Sequence, residues 1–263
     1  MKIKRIAFLS AVLLCSVTVF NGCSKDDGGS GTSQVTSINA KVVNGTDYNF
    51  GNVKAVTYMG SSYVVAEGSY TNGGFKIDLP ETVSSEYLEL LTDDTDEEEV
   101  SDWMTVSDKT ALMNSIYLEG YDESGDYIGD LFYGAGSVNS TSYSYTEGQY
   151  VYVNKDVKLT GSTTDTDNSS GITLQLKSSA NVVLKAGWNI MYYIETVSFV
   201  NNTGTITYTT SKPSGLQWYS EDDFDSLVGF ESALKPAQPE NTLKFTAVMQ
   251  KMLSKHRLFS KTK

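Results

Sequence analysis

Between Val35 and Tyr219 the chain is written in short runs that alternate apolar and polar residues with a period of two. That period constrains the fold more than any other feature. A strand sends successive side chains to opposite faces, so this alternation fits a sheet with one wet face and fits no helix. Val35–Val43 and Val53–Met59 alternate and are joined through the turn-rich Asn44-Gly45-Thr46-Asp47. Tyr63–Tyr70 leads through Asn72-Gly73-Gly74, a strong hairpin signal, into Phe75-Lys76-Ile77-Asp78-Leu79 before Pro80. Ile116–Tyr121 and Tyr127–Tyr133 flank Asp122-Glu123-Ser124-Gly125-Asp126, a second hairpin turn. Gln149–Leu159 reads as one long strand whose phase slips near Asn154, the mark of a bulge. Ile172–Leu176 and Val182–Leu184 read as short strands, and Gly187-Trp188-Asn189 opens Ile190–Ile194. Val197–Val200 and Thr205–Thr210 form a further hairpin, and Leu216–Tyr219 closes the series.

The expected fold class is therefore all-β, with one or two antiparallel β-sandwich units. Many short strands and long loops favour a sandwich over a lipocalin-like barrel. The expected organisation is a leader at 1–22, a flexible tether at 23–34, a β module at 35–92, an acidic linker at 93–113, a second β module at 114–222, and a linker with a basic amphipathic tail at 223–263. Glu86–Leu91 suits a short helix. Asp93–Glu99 is acidic at six of its seven positions and reads as a solvated loop; it lacks the spaced ligands and turn glycine of an EF-hand. In the tail, Phe245, Val248, Met249, Met252, Leu253, His256 and Phe259 fall on one face of a short C-terminal amphipathic helix. Three roles compete for it: docking on the acidic body, lying on anionic lipid, or a terminus foreign to the domain.

The first residues set the address. Lys2, Lys4 and Arg5 precede Ile6–Phe20, an almost charge-free run, and Asn21-Gly22-Cys23 closes it with small residues. This is the layout of a secretory signal, too short and wrongly flanked for a good spanning helix. A cysteine just after the small residues makes it a lipoprotein signal, cut before Cys23 and acylated on that thiol. Two or three acyl chains make such an anchor lasting, at about 0.8 kcal/mol per buried methylene. The membrane partner is then lipid held through acylated Cys23.

Composition excludes several chemistries. The only other cysteine, Cys15, lies in the leader, so the mature chain has no disulfide and no thiolate metal site. The single histidine, His256, sits in the basic tail, which leaves the body without a Ser-His-Asp triad or a histidine zinc site. Arginine occurs only as Arg5 and Arg257, so forks for phosphate or carboxylate are missing and no nucleic-acid partner is expected. Cutting off Lys2, Lys4 and Arg5 leaves 17 bases against 32 acids; residues 244–263 hold six of those bases and no acid, so the body stands near −21. Such a body repels anionic polymers and suits neutral ligands, cations or basic partners.

Three resemblances sharpen these readings. Cys23-Ser24-Lys25-Asp26-Asp27 resembles the export signal of surface lipoproteins of Bacteroidetes, which implies the outer face of the outer membrane. Phe20 and Asn21 depart from the commonest form of the cleavage box in that group. The stretch VVAEGSYTNGGFKIDLP resembles the prealbumin-like modules of carboxypeptidase regulatory domains, and implies a small β-sandwich with a structural or binding role and no catalytic residues. The runs VVLKAGWNIMYYIE and KPSGLQWYSEDDF resemble the ending of other Bacteroidetes lipoproteins, with no catalytic residue attached to them.

The candidate ligand residues are aromatic. Seventeen tyrosines and three tryptophans are present, and rings with a polar edge stack on sugar faces. Tyr150, Tyr152, Trp188, Tyr192, Tyr193 and Trp218 are the expected platform for a neutral carbohydrate, in a non-catalytic surface lipoprotein. Asp122 and Asp126 are the candidate ligands for calcium, and no other cofactor is expected. A free sheet edge able to take a donated strand would point instead to a structural or adhesive component that engages proteins. Glu119, Glu147, Glu195, Asp222 and Asp223 supply carboxylates for a glycoside hydrolase, but no spacing singles out a pair. Labelled palmitate fed to the producing cells is expected to mark the chain, and Cys23→Ser to abolish the mark; label that persists in the variant would refute acylation at this position.

Overall fold

The described residues form fourteen strands. The structure is a computed structural model and describes residues 34–59, 61–91, 103–168, 173–228, 248–249 and 251–253. Cys23, Ser24–Asp27, the leader, nearly all of the tether and the acidic run Asp93–Glu99 lie outside the described residues, as do Phe245, His256 and Phe259. The strands are β1 (Ser37–Lys41), β2 (Asn52–Tyr58), β3 (Ser62–Thr71), β4 (Gly74–Asp78), β5 (Glu89–Leu90), β6 (Met104–Val106) and β7 (Leu112–Tyr121). They continue as β8 (Tyr127–Val138), β9 (Ser142–Val153), β10 (Val157–Asp167), β11 (Leu174–Leu184), β12 (Gly187–Ser198), β13 (Thr203–Thr209) and β14 (Gln217–Ser220), followed by helix α1 (Glu221–Val228). The fold is all-β and sandwich-like. No helix among the described residues is long and apolar enough to cross a membrane.

The strands run in the order β1-β4-β3-β2-β7-β8-β9-β12-β13-β11-β10-β6, with β14 on β8 and β5 on β7. Every ladder between these strands is antiparallel except β11 with β13. That exception arises because β12 and β13 form a hairpin and β11 lies beyond it, beside β13. The β3–β4 turn shows why its sequence was legible: Asn72 and Gly73 both have positive φ, 52° and 74°, as a two-residue hairpin of this kind demands. β2 pairs with β7 from Asn52 to Val56, so one sheet joins the stretch before residue 91 to the stretch after 103.

Two buried clusters lie on opposite sides of β9 and β12. One gathers Val151, Val153, Leu159, Leu174, Leu176, Met191, Tyr193 and Ile206. The other gathers Ile38, Val53, Ala55, Ile77, Ile116, Leu118, Tyr150, Tyr152, Trp188 and Trp218. The N-terminal strands are tied to this second side by backbone bonds from Val35 N–H to the Trp188 carbonyl (3.0 Å) and from Val43 N–H to that of Trp218 (2.8 Å).

Several local expectations are corrected. Gln149–Leu159 is two strands, not one bulged strand. Asn154 stops β9 by exchanging bonds with Leu112: its N–H donates to the Leu112 carbonyl (3.0 Å) and its Oδ1 accepts from Leu112 N–H (2.9 Å). The chain then leaves for a different neighbour, since β10 pairs with β11 and β6 and not with β9. The two short strands expected around 172–184 are one, β11, whose inward residues run Leu174, Leu176, Ser178, Ala180, Val182, Leu184. Small and polar residues at the middle positions hid the continuity, and Ser178 is fully buried. Glu86–Leu91 forms a 3-10 turn at Ser85–Tyr87 and then β5 instead of a helix. After β14 the chain enters α1, which the sequence reading missed; Ser220 caps it, its Oγ accepting from Asp223 N–H (3.4 Å).

In the basic tail, residues 248–249 and 251–253 are helical, and Met249, Met252 and Leu253 belong to the first cluster. Met249 Sδ lies 3.1 Å from where a Cβ on Gly204 would stand, so the glycine makes room for it. Met249→Ala is expected to lower unfolding free energy by about 2–5 kcal/mol in a denaturant titration. A loss near zero would mean that this segment is no part of the core.

Candidate functional site

The structure places all six expected platform residues in the interior. Tyr150, Tyr152 and Trp218 are each 7% exposed, and Trp188, Tyr192 and Tyr193 2–3%. Their rings are spent on one another: Trp218 stacks between Tyr133 (5.1 Å) and Tyr150 (6.2 Å), and Tyr152 meets Trp188 edge-on (5.4 Å). Trp188 Nε1–H donates to the Pro80 carbonyl (2.8 Å), and the Tyr193 hydroxyl to Glu195 Oε2 (2.6 Å). Tyr192 borders Gly148. The platform expectation fails because both faces of β9 and β12 are covered. Tyr150, Tyr152, Trp188 and Trp218 share one cluster and Tyr193 sits in the other.

Asp122 is a turn residue. Its Oδ1 accepts from Ser124 N–H and Asp126 N–H, both at 2.9 Å, and the backbone N–H of Asp126 is the main cause holding its carboxyl below the ordinary carboxylate range. Among the described residues no group of three or more His, Cys, Asp or Glu is placed to hold a metal ion.

A small cavity marks where three strands exchange partners. β7 pairs with β9 up to Ile116 and with β8 from Leu118. β8 leaves β7 at Leu131 and joins β9 at Gly134, while β9 leaves β8 at Glu147 and joins β7 at Tyr150. Tyr117, Phe132, Tyr133, Gly148 and Gln149 fall in the triangle left between, and they line a space of about 30 Å³ against Trp218. That is room for a water or two, well short of the several hundred Å³ of ordinary ligand pockets. Gln149 Oε1 is buried there without a hydrogen-bond partner, which suits a water.

One group of aromatic residues that reach the surface lies elsewhere, on the face of β2, β7 and β8 that points away from the N-terminal cluster. On β7, Ile116 and Leu118 go inward, so Tyr117, Glu119 and Tyr121 share the other face. Strand pairing sets Lys54 opposite Glu119 on one side and Asp130 opposite Glu119 on the other. Tyr58 and Tyr117 meet edge-on at 5.8 Å, and Tyr121 and Tyr127 at 5.9 Å. Tyr127 is 43% exposed; Tyr58, Tyr117 and Tyr121 are half-buried.

Between the rings sit two buried carboxylates, Glu119 and Asp130. Like charges directly opposite on a sheet repel, and phenol donors offset this. The Tyr58 hydroxyl donates to Glu119 Oε1 and the Tyr121 hydroxyl to Oε2 (2.7 Å). The Tyr127 hydroxyl donates to Asp130 Oδ1 (3.0 Å), and Asp130 N–H reaches Glu221 Oε2 (3.3 Å) at the start of α1. Burial first, and the carboxylate acceptor second, raise Tyr58, Tyr121 and Tyr127 above the ordinary phenol value, so all three remain neutral donors at physiological pH. The face is rich in ring surface and in oxygen lone pairs. Of the other carboxylates singled out from the sequence, Glu147 accepts from the Tyr145 hydroxyl (2.5 Å), Asp223 accepts from Asn44 Nδ2 (3.2 Å), and Asp222 is exposed on α1. The within-strand signal Tyr117-x-Glu119-x-Tyr121 was visible; the partners on β2 and β8 were not.

The chain matches no protein-family model, no curated protein and no solved structure.

The phenol shifts carry a sign. Folded values lie above the unfolded value of 10.0, and burial lifts Tyr70 to about 12 in the same way. The stability they contribute is whole below that unfolded value and is lost as pH rises through the folded ones. The denaturant midpoint is expected to decline above about pH 10, with phenolate absorbance lagging behind that of the unfolded chain. Coincident phenolate titration of folded and unfolded protein would refute the hydrogen-bonded, buried geometry.

Proposed function

We propose that the chain is a lipid-anchored protein of the outer membrane, exported to the cell surface, acylated at Cys23 and facing outward, whose β body binds neutral carbohydrate without catalysis. The observation that carries the ligand class is the tyrosine face: four rings around two buried, hydrogen-bonded carboxylates on one sheet surface. Rings take the apolar face of a sugar, and the oxygens of the carboxylates and phenols accept its hydroxyl protons. The strong negative charge of the body turns away acidic glycans. The carboxylates serve as anchors for phenols in this reading, and no residue is assigned a catalytic part. The prealbumin-like character of the first β module fits a binding role and belongs to the same proposal.

A glycan array probed with the full chain in mild detergent, with and without calcium, tests this. Selective binding to neutral glycans is expected, weakened about tenfold or more by Tyr127→Ala, as for loss of an aromatic anchor. A blank array, or binding that ignores Tyr127→Ala, would overturn it. One observation favours a second reading, as an adhesive or structural component. Among the described residues no strand pairs with the outer edge of β3 between Ser62 and Gly68, where Val64 is 55% exposed. Such an edge is a template for another chain. A blank array, together with a protein partner lost on Val64→Lys, would move the assignment there.

A further inference from the structure

The tyrosine face already holds one ammonium group. Lys54 Nζ stands 3.9 Å from the centroid of the Tyr121 ring. Its direct cross-strand neighbour is Glu119, yet no ion pair joins them, and the ammonium rests on the ring instead. The geometry gives the reason. Both Glu119 oxygens accept from phenol hydroxyls, of Tyr58 and Tyr121, so the carboxylate is held at the hydroxyl edge of the Tyr121 ring. A cation over a ring face is attracted by the ring's quadrupole. Here Glu119, Asp130 and Glu221 lie close by and deepen the negative potential. Arginine is missing from all the described residues, so among them only lysine can supply a competing cation.

We propose that this face recognises a primary amine on its ligand, an amino sugar in preference to its N-acetylated counterpart. Lys54 is then a tethered competitor that occupies the Tyr121 ring until the ligand's ammonium displaces it. This rests on the tyrosine face being the carbohydrate-binding face, and departs from that reading on charge: neutral sugars bind the same face, and a sugar carrying an ammonium binds it more tightly. The exchange is noncovalent: one ammonium leaves the ring for water and another takes its place, close to the buried Glu119 carboxylate.

Calorimetric titration of the full chain in detergent, with a short glucosamine oligosaccharide and its fully N-acetylated form, tests the inference. The two probes share ring and linkage and differ in charge. The amine form is expected to bind about tenfold tighter or more at low salt, an advantage that shrinks as salt rises. Lys54→Met is expected to tighten the amine form about two- to fivefold and leave the acetylated form unchanged, while Lys54→Arg, which keeps a cation on the ring, gives no such gain. Tyr121→Leu is expected to remove most of the amine advantage without altering net charge.

Acetylated sugar binding as tightly as the amine would overturn this inference and leave the neutral-carbohydrate reading standing. No binding of either sugar would overturn this inference, and a blank glycan array beside it would overturn the carbohydrate reading as well. An amine preference indifferent to Lys54→Met and Tyr121→Leu would show attraction to the acidic body at large, and would overturn the assignment to this ring.

Discussion

The pairing of β9 with β12, twelve residues against twelve from Gly187–Val153 to Ser198–Ser142, carries both cores at once. In most antiparallel sheets one face is dry and the other wet. Here Val151, Val153, Met191 and Tyr193 face one cluster, while Tyr150, Tyr152 and Trp188 face the other. A slip of one residue would exchange the two sets and place tyrosine and tryptophan where valine and methionine now fit. The start of the ribbon is correspondingly fixed. Asn189 Oδ1 accepts from Lys185 N–H (2.9 Å), and its Nδ2 donates to the carbonyls of Lys185 (2.7 Å) and Gly187 (2.9 Å). Gly187 takes φ 102°, a conformation costly for any other residue.

From this ribbon follows where recognition can take place. Aromatic residues on β9 and β12 are committed to packing on both sides. β2, β7 and β8 are covered by the N-terminal cluster on one face, and their other face carries Tyr58, Tyr117, Tyr121 and Tyr127. The same geometry produces the three-way exchange at Tyr117, Phe132 and Gly148. β9 is drawn along β12 over its whole length, so β7 and β8 must share its other edge, one at each end. The gap between them is a consequence of topology and is small enough for water to fill.

Much of the fold was legible because alternation and turn chemistry are local. Asn72-Gly73 and Asp122–Asp126 lie where their residues say turns belong. What was illegible depended on neighbours far along the chain. Tyr150 and Tyr152 were read as a wet face opposite Val151 and Val153, since tyrosine suits a half-buried strand; only a second covering layer makes both faces dry. Ser178 and Ala180 broke the apolar pattern of β11, although small residues keep its phase. The candidate site drew on β2, β7, β8 and α1, so Glu119 could be picked out as a carboxylate but not matched to Asp130, which pairing alone sets opposite it. The tail's apolar stripe was visible; that Met249 fits over Gly204 was not.

The composition and the site make one argument. With neither histidine, cysteine nor arginine among the described residues, the body's side chains that both donate and accept hydrogen bonds are those of Ser, Thr, Asn, Gln and Tyr. Tyrosine is the large one, and carboxylates are the abundant acceptors. Two carboxylates brought opposite each other on a sheet need donors close by, and phenols can supply them while their rings exclude water from one side. Raising the phenols' ionisation well above neutrality keeps those donors in place on the buried Glu119 and Asp130. Lys54 rests over the Tyr121 ring beside these carboxylates, and an external ammonium would meet the same ring and the same acids.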